Sequence, residues 1–221
     1  MKILAIDTST SYGCVGVIDG DELLAESAPL PFKSHVEKLF PAIQHVMQDS
    51  KLVMHELQGI AVGLGPGSFT GLRIGIAAAL GFSFALKIPI AGISTLRVLA
   101  EAGRAHGQIV ASVIDAKRNE VFVTAYDFSN NSQQILPEQA LTPEACTEQI
   151  KKLGLNTVLV GDGVDLLKVQ LQKFPVAPSA FLLGKLLLPV LQMGGQKLEQ
   201  IVPNYIRKSD AELNYINKRL S

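Results

Sequence analysis

The side chains in this sequence that could do chemistry gather at a few turns. Asp7, Thr8, Ser9 and Thr10 end the apolar run Ile3–Ile6, so a carboxylate and three hydroxyls sit where a strand gives way to a turn. Amides and hydroxyls in such a turn can receive a phosphate, and a carboxylate beside them can hold Mg²⁺ through water. The same groups can equally satisfy the turn's own hydrogen bonds, so both readings of Asp7, Thr8 and Ser9 stay open. A second turn, Gly65-Pro66-Gly67-Ser68-Phe69-Thr70-Gly71, resembles known catalytic loops without meeting their requirements. A P-loop needs Lys after its last glycine, where Leu72 stands, and a nucleophile elbow needs Gly two residues before Ser68, where Pro66 stands. Ser68 is therefore read as a helix N-cap. Asp115 and Glu120 flank Lys117, Arg118 and Asn119 at a hairpin tip, which could meet an anion or a partner or simply be solvated. His35, His45, His55 and His106 make no i, i+4 pair, and Cys14 and Cys146 lie far apart, so neither a metal site nor a disulfide framework is indicated. No catalytic residue is assigned.

The elements that must position these residues follow from composition and periodicity. At 221 residues and 48% apolar the chain can bury one sizeable core or two small ones. Lys plus Arg equals Asp plus Glu at 20 each, which leaves no net field to steer nucleic acid, so any RNA must be held mainly by something else. The opening residues lack the long apolar stretch and cleavage site of a signal peptide. The longest apolar run, Ile74–Leu86, is short of the roughly 20 residues that span a bilayer, so the expectation is a cytoplasmic protein without a membrane span.

Strands over 2–8, 13–19 and 22–27 are predicted to form an antiparallel meander through the turn at Asp19-Gly20-Asp21. Ser34 and Glu37 make a capping box for a helix over 35–49, whose Val36, Leu39, Phe40, Ile43, Val46 and Met47 share one face and whose Pro41 predicts a kink. A buried strand over 59–64, a helix from Ser68 to about Leu86, a strand over 88–93 and a helix from Ser94 complete the first half. After His106-Gly107 the pattern restarts: strands over 109–114 and 121–126, a loop over 129–134, a helix opened by Thr142-Pro143-Glu144, a strand over 157–160, a further helix after Gly161-Asp162-Gly163, and a helix over 181–192. The lobes are placed at 1–105 and 106–221, with the basic tail from about 203 packing back on the first lobe or remaining apart from it.

The helix over 70–86 carries almost no polar face, and a helix apolar all round must be buried on every side. Gly71 and Gly75 add a small-residue stripe that admits a close neighbour. That neighbour is either another chain or this chain's own sheet and its helix over 35–49; the segment alone leaves both open.

The blocks I-L-A-I-D-T-S-T, S-H-V-E-K-L-F-P, G-P-G-S-F-T-G-L-R-I-G, G-I-S-T-L, V-I-D-A-K-R-N-E-V-F and P-N-Y-I-R occur in the order and spacing of the TsaB (YeaZ) family, which the chain resembles over its whole length. The resemblance implies an α/β, two-lobed, actin-like ATPase (ASKHA, ribonuclease H-like) fold. It implies a partner subunit without its own catalysis, metal or cofactor. With the larger relative TsaD and the ATPase TsaE, such a subunit supports transfer of threonylcarbamoyl from threonylcarbamoyl-AMP to N6 of adenosine 37 in tRNAs reading ANN codons. It implies that Asp7, Thr8 and Ser9 are a vestigial phosphate loop. It also implies that the helices over 35–49 and 70–86 meet TsaD, or a second copy in a homodimer, through Val36, Leu39, Phe40, Ile43, Leu72, Gly75, Ile76, Ala79 and Leu80. Ser94-Thr95-Leu96-Arg97-Val98 stands where the catalytic relative has a metal-binding H-x-x-x-H, and Asp115-Ala116-Lys117-Arg118 replaces a glycine-rich phosphate loop. A small ATPase or kinase using Asp7 and Thr8 is the competing reading, and a protease acting on its partner a third.

Overall fold

Strand β1 (Lys2–Asp7) is apolar on both faces because it runs through the middle of a sheet, with Ile3, Leu4, Ala5 and Ile6 wholly buried. The computed structural model describes residues 1–27, 30–31 and 35–207; Ser34 and the tail beyond 207 lie outside the described residues, as does the side chain of Val36. β2 (Tyr12–Asp19) and β3 (Glu22–Glu26) form the expected meander on β1, and β4 (Leu30–Pro31) pairs with β2. Helix α1 (His35–Asp49) continues through Pro41 and leads to β5 (Gly59–Gly63), which lies parallel to β1. Helix α2 (Phe69–Leu86) then leads to β6 (Ile90–Ile93), parallel to β5. Ser68 caps α2, its hydroxyl accepting from the Gly71 amide at 3.2 Å.

After α3 (Thr95–Gly103) a second sheet begins: β7 (Ile109–Lys117), β8 (Glu120–Asp127), β9 (Gln133–Leu141), helix α4 (Pro143–Lys151), β10 (Thr157–Val160) and β11 (Lys173–Phe174). The two sheets repeat one topology. The first runs β3-β2-β1-β5-β6 and the second β9-β8-β7-β10-β11, each with two antiparallel pairings followed by two parallel ones. The restart of the sequence pattern after residue 106 is thus a repeat of architecture.

Strand alternation divides the core into layers. Leu4 and Ile6 face Leu39, Ile43 and Val46 of α1 and Ile76 and Ala79 of α2, whereas Ile3 and Ala5 face helix α5 (Ala180–Gln192) through Leu183, Leu187 and Leu191. α5 therefore returns to the first sheet. In the second sheet Val110 and Ile114 meet Leu96 and Leu99 of α3, and Ala111 and Val113 meet Cys146 and Ile150 of α4.

Two segments differ from expectation. β9 begins inside the stretch 129–134 read as a loop; it is a polar edge strand containing Pro137, which is permitted because no outer strand pairs with it among the described residues. The helix expected after Gly163 is a single 3₁₀ turn, Val164–Leu166, because the next residues alternate, with Leu167 buried, Val169 and Leu171 partly so, and Lys168, Gln170 and Gln172 exposed.

Candidate functional site

The end of β1, the turn before α2, the β7–β8 hairpin tip and residues 204–207 enclose a cleft of about 490 Å³ between the lobes. Its floor is not the open phosphate turn that Asp7, Thr8 and Ser9 suggested. Asp7 is 1% exposed, and its carboxylate accepts from the Ser9 amide at 2.8 Å, the Ser9 hydroxyl at 2.5 Å and the Thr95 hydroxyl at 2.7 Å. A Cβ on Gly63 would stand 2.0 Å from its Oδ2, so the other approach is closed by backbone. Thr8, 2% exposed, donates its hydroxyl to the Gly71 carbonyl at 2.7 Å and so fastens α2 to β1. Of the three, only Ser9 borders the cleft, itself 1% exposed.

The opposite wall is equally unsuited to a phosphate. Arg118 and Asn119 form the two-residue hairpin turn, and Lys117, Arg118 and Asn119 all hold positive φ, between 56° and 60°. A left-handed non-glycine residue costs about 1–2 kcal/mol. The Lys117 amide donates to Asp115 Oδ1 at 2.8 Å and the Asp115 amide to Asp162 at 3.0 Å, so these two amides before the turn are already engaged. The fold implies a magnesium nucleotide, and these residues do not fit one: the carboxylate is walled in and the hairpin presents side chains where a phosphate would need bare backbone.

Asp7→Ala is accordingly expected to cost about 3 kcal/mol of unfolding free energy, since it strands the buried Ser9 amide and leaves the Ser9 and Thr95 hydroxyls only each other as partners. Chemical denaturation checks this; an unchanged midpoint would show that the carboxylate is not structural. Neither cysteine offers a nucleophile: both are buried, and desolvation pushes the Cys14 thiol well above its usual range and that of Cys146 up to about 12. Among the described residues no three His, Cys, Asp or Glu side chains gather where they could hold a metal ion.

The outer face of α2 is the second candidate. With 18 residues it is long and apolar enough to cross a membrane by length and composition, a result that counting from Ile74 did not give. Its inner face nevertheless packs on β1 and β5, and 33% of it is buried within the chain. Six of the residues expected at a partner interface instead turn inward. Leu39, Ile43, Leu72, Ile76, Gly75 and Ala79 are buried among β1, β5 and the two helices, which leaves them no surface to offer. Gly75 is small because a Cβ there would meet Thr8 Oγ1 at 2.2 Å. Phe40 is 57% exposed and Leu80 partly so.

The stripe that does face outward is Ala77, Gly81, Phe84 and Ala85, with Phe84 79% exposed and Phe40 of α1 near Phe82 at a ring separation of 6.3 Å. A signal for it was present: Arg73 is the one charged residue in α2, and steps of four from it reach 77, 81 and 85.

Two lobes of repeated ribonuclease H-like topology, facing each other across a cleft, place the chain in the actin-like (ASKHA) class of fold. A family model, TsaD: tRNA N6-adenosine threonylcarbamoyltransferase, matches residues 30–157. The "tRNA threonylcarbamoyladenosine biosynthesis protein TsaB" of Bacillus subtilis is 28% identical over 99% of this chain and all of its own length. The protein of the same name from Escherichia coli is 34% identical over 74% of this chain and 72% of its own. Among solved structures, a Pseudomonas aeruginosa protein with similarity to peptidase YeaZ superposes with a TM-score of 0.79 at 26% identity, covering 93% of this chain and 99% of that one. A Clostridium difficile activator of 2-hydroxyisocaproyl-CoA dehydratase, at TM-score 0.53 and 8% identity over 91% and 96% of the two chains, shares the fold alone. The chain belongs to the TsaB (YeaZ) family.

Proposed function

We propose that this chain takes part in tRNA threonylcarbamoyladenosine biosynthesis as a partner subunit that does no chemistry itself. It docks on a larger chain of the same fold, TsaD, and with the ATPase TsaE supports threonylcarbamoyl transfer to N6 of adenosine 37. The observation that carries the reading is an apolar helix, α2, seven of whose 18 residues are exposed, Phe84 among them. A stripe of small residues beside two exposed phenylalanines fits a second helix pair better than it fits solvent. The match of residues 30–157 to a transferase family model supports a pairing of like with like, in which equivalent helices of two similar chains meet about a pseudo-two-fold axis. A homodimer would use the same face. The sealed Asp7 and the side-chain-bearing hairpin support the absence of independent catalysis. A net charge of zero supports leaving the tRNA chiefly to the other subunits, and the proposed location is the cytoplasm, where tRNA is modified.

Reconstitution with TsaD, TsaE, tRNA, ATP and threonylcarbamoyl-AMP tests this. Multiple-turnover modification is expected to fall at least tenfold when the chain is omitted, and the chain alone should turn over nothing. Equal modification without it would refute the partner role.

A further inference from the structure

The C-terminal segment crosses the mouth of the interlobe cleft, and its successive residues hold opposite sides. The segment first runs along the edge of the first sheet, where the Gln196 amide donates to the Ile90 carbonyl at 2.8 Å and Ile201 enters the core beneath α1 and α2. Asn204 then grips both lobes. Its amide donates to the Leu64 carbonyl at 2.7 Å, and its side-chain Nδ2 donates to Glu138 of β9 at 2.6 Å. Tyr205 stacks on Phe69, in the first turn of α2, at 5.1 Å, and its hydroxyl accepts from Arg73 Nε at 2.9 Å. Arg73 in turn lies 3.8 Å over the Phe69 ring. Ile206 packs into the core of the second lobe, and Arg207 Nη1 reaches Glu120 of the hairpin at 2.6 Å.

We propose that residues 204–207 are a strap that couples the second-lobe hairpin to the first turn of α2, so that cleft opening and the placement of that turn change together. The geometry supports a two-ended device. Tyr205 touches the first lobe, Arg207 the second, and Ile206 alone separates them, at a bend, so the chain between the two contacts can lengthen by only a few Å. Opening the cleft by moving Glu120 away must therefore pull on the Tyr205–Phe69–Arg73 stack or break the Arg207 pair. If the outer face of α2 is the docking face, the strap ties the state of the cleft to that face. The coupling itself does not rest on that reading, and its test uses the free chain.

Hydrogen–deuterium exchange on the full chain tests the coupling from both ends, because energetic coupling is reciprocal. Arg207→Gln removes a contact made only to the second lobe. It is expected to raise exchange about threefold or more in residues 69–73 of α2 and at the Asn204 amide, as well as locally in 117–122. Tyr205→Leu removes contacts made only to the first lobe, and is expected to raise exchange by a similar factor in 117–122. Residues 2–7 of β1, which strap release does not touch, report global unfolding. Should Arg207→Gln raise exchange there, Glu120→Gln breaks the same pair from the other side and gives the reading; should Tyr205→Leu do so, Tyr205→Phe, which removes only the bond to Arg73, gives it. Effects confined to the mutated end in either direction would overturn the strap.

Discussion

Gly81→Arg is expected to leave the free chain folded and slightly more stable while weakening its association with a partner about a hundredfold or more. Gly81 lies in the interior of α2, and a Cβ built there meets nothing within 4 Å, so the new side chain enters open space. Exchanging an interior helical glycine for arginine gains roughly 0.7 kcal/mol in helix propensity. On the outer stripe the same change places a long, charged side chain between Ala77 and Ala85, where a second helix must approach closely. A charge buried there without a counter-ion costs several kcal/mol, and the hundredfold loss corresponds to about 2.7 kcal/mol. Calorimetric titration of the partner, beside denaturant unfolding of the free variant, reads both effects. Gly81→Ala separates bulk from charge, since it should bring the same stabilisation with little loss of affinity. If Gly81→Arg binds as wild type does, the outer face of α2 is not the docking face.

Gly75→Val, less than two turns away on the same helix, is expected to act in the opposite way and destabilise the chain by about 2–4 kcal/mol. Gly75 faces inward, and any Cβ would fall 2.2 Å from Thr8 Oγ1 and 3.3 Å from Thr8 Cβ. Thr8 cannot turn aside without giving up its hydrogen bond to Gly71, worth about 1 kcal/mol, and overpacking adds about 1–3 kcal/mol more. For a chain of this size the loss corresponds to a drop in Tm of roughly 10 °C. Differential scanning calorimetry checks it. A Tm within a degree or two of wild type would mean that α2 can shift outward freely, and that the Thr8–Gly71 clamp is weak.

The two glycines mark how far the sequence reaches. Read along the chain, both are small residues in one apolar helix, and Gly75 was the one assigned to the interface. Nothing in α2 apart from Arg73 distinguishes inside from outside, so hydrophobic periodicity has no contrast to detect. The phase of the helix is set by the sheet beneath it, where Thr8 at the end of β1 accepts only a glycine as neighbour. α1 has alternating apolar and charged faces, and its Leu39, Ile43 and Val46 share the buried side as their spacing requires. They fill the core, however, and it is Phe40 beside them that reaches the surface.

Patterns confined to neighbouring residues were decided by the sequence itself. These include the meander through Asp19-Gly20-Asp21, the caps at Ser68 and Thr142, the hairpin around Arg118-Asn119 and the restart of the pattern after residue 106. Each depends on backbone preferences and hydrogen bonds that reach only a few positions along the chain. Three features came from tertiary structure alone. Asp7 is sealed by Thr95, 88 positions away, and Thr8 is held by Gly71, 63 away. Residues 204–207 bridge the cleft through Leu64, Phe69, Glu120 and Glu138. Whether a carboxylate binds a ligand or a hydroxyl, and whether a glycine admits a partner or a neighbouring strand, depends on which distant atoms the fold brings within 3 Å. A local pattern carries no information about those distances.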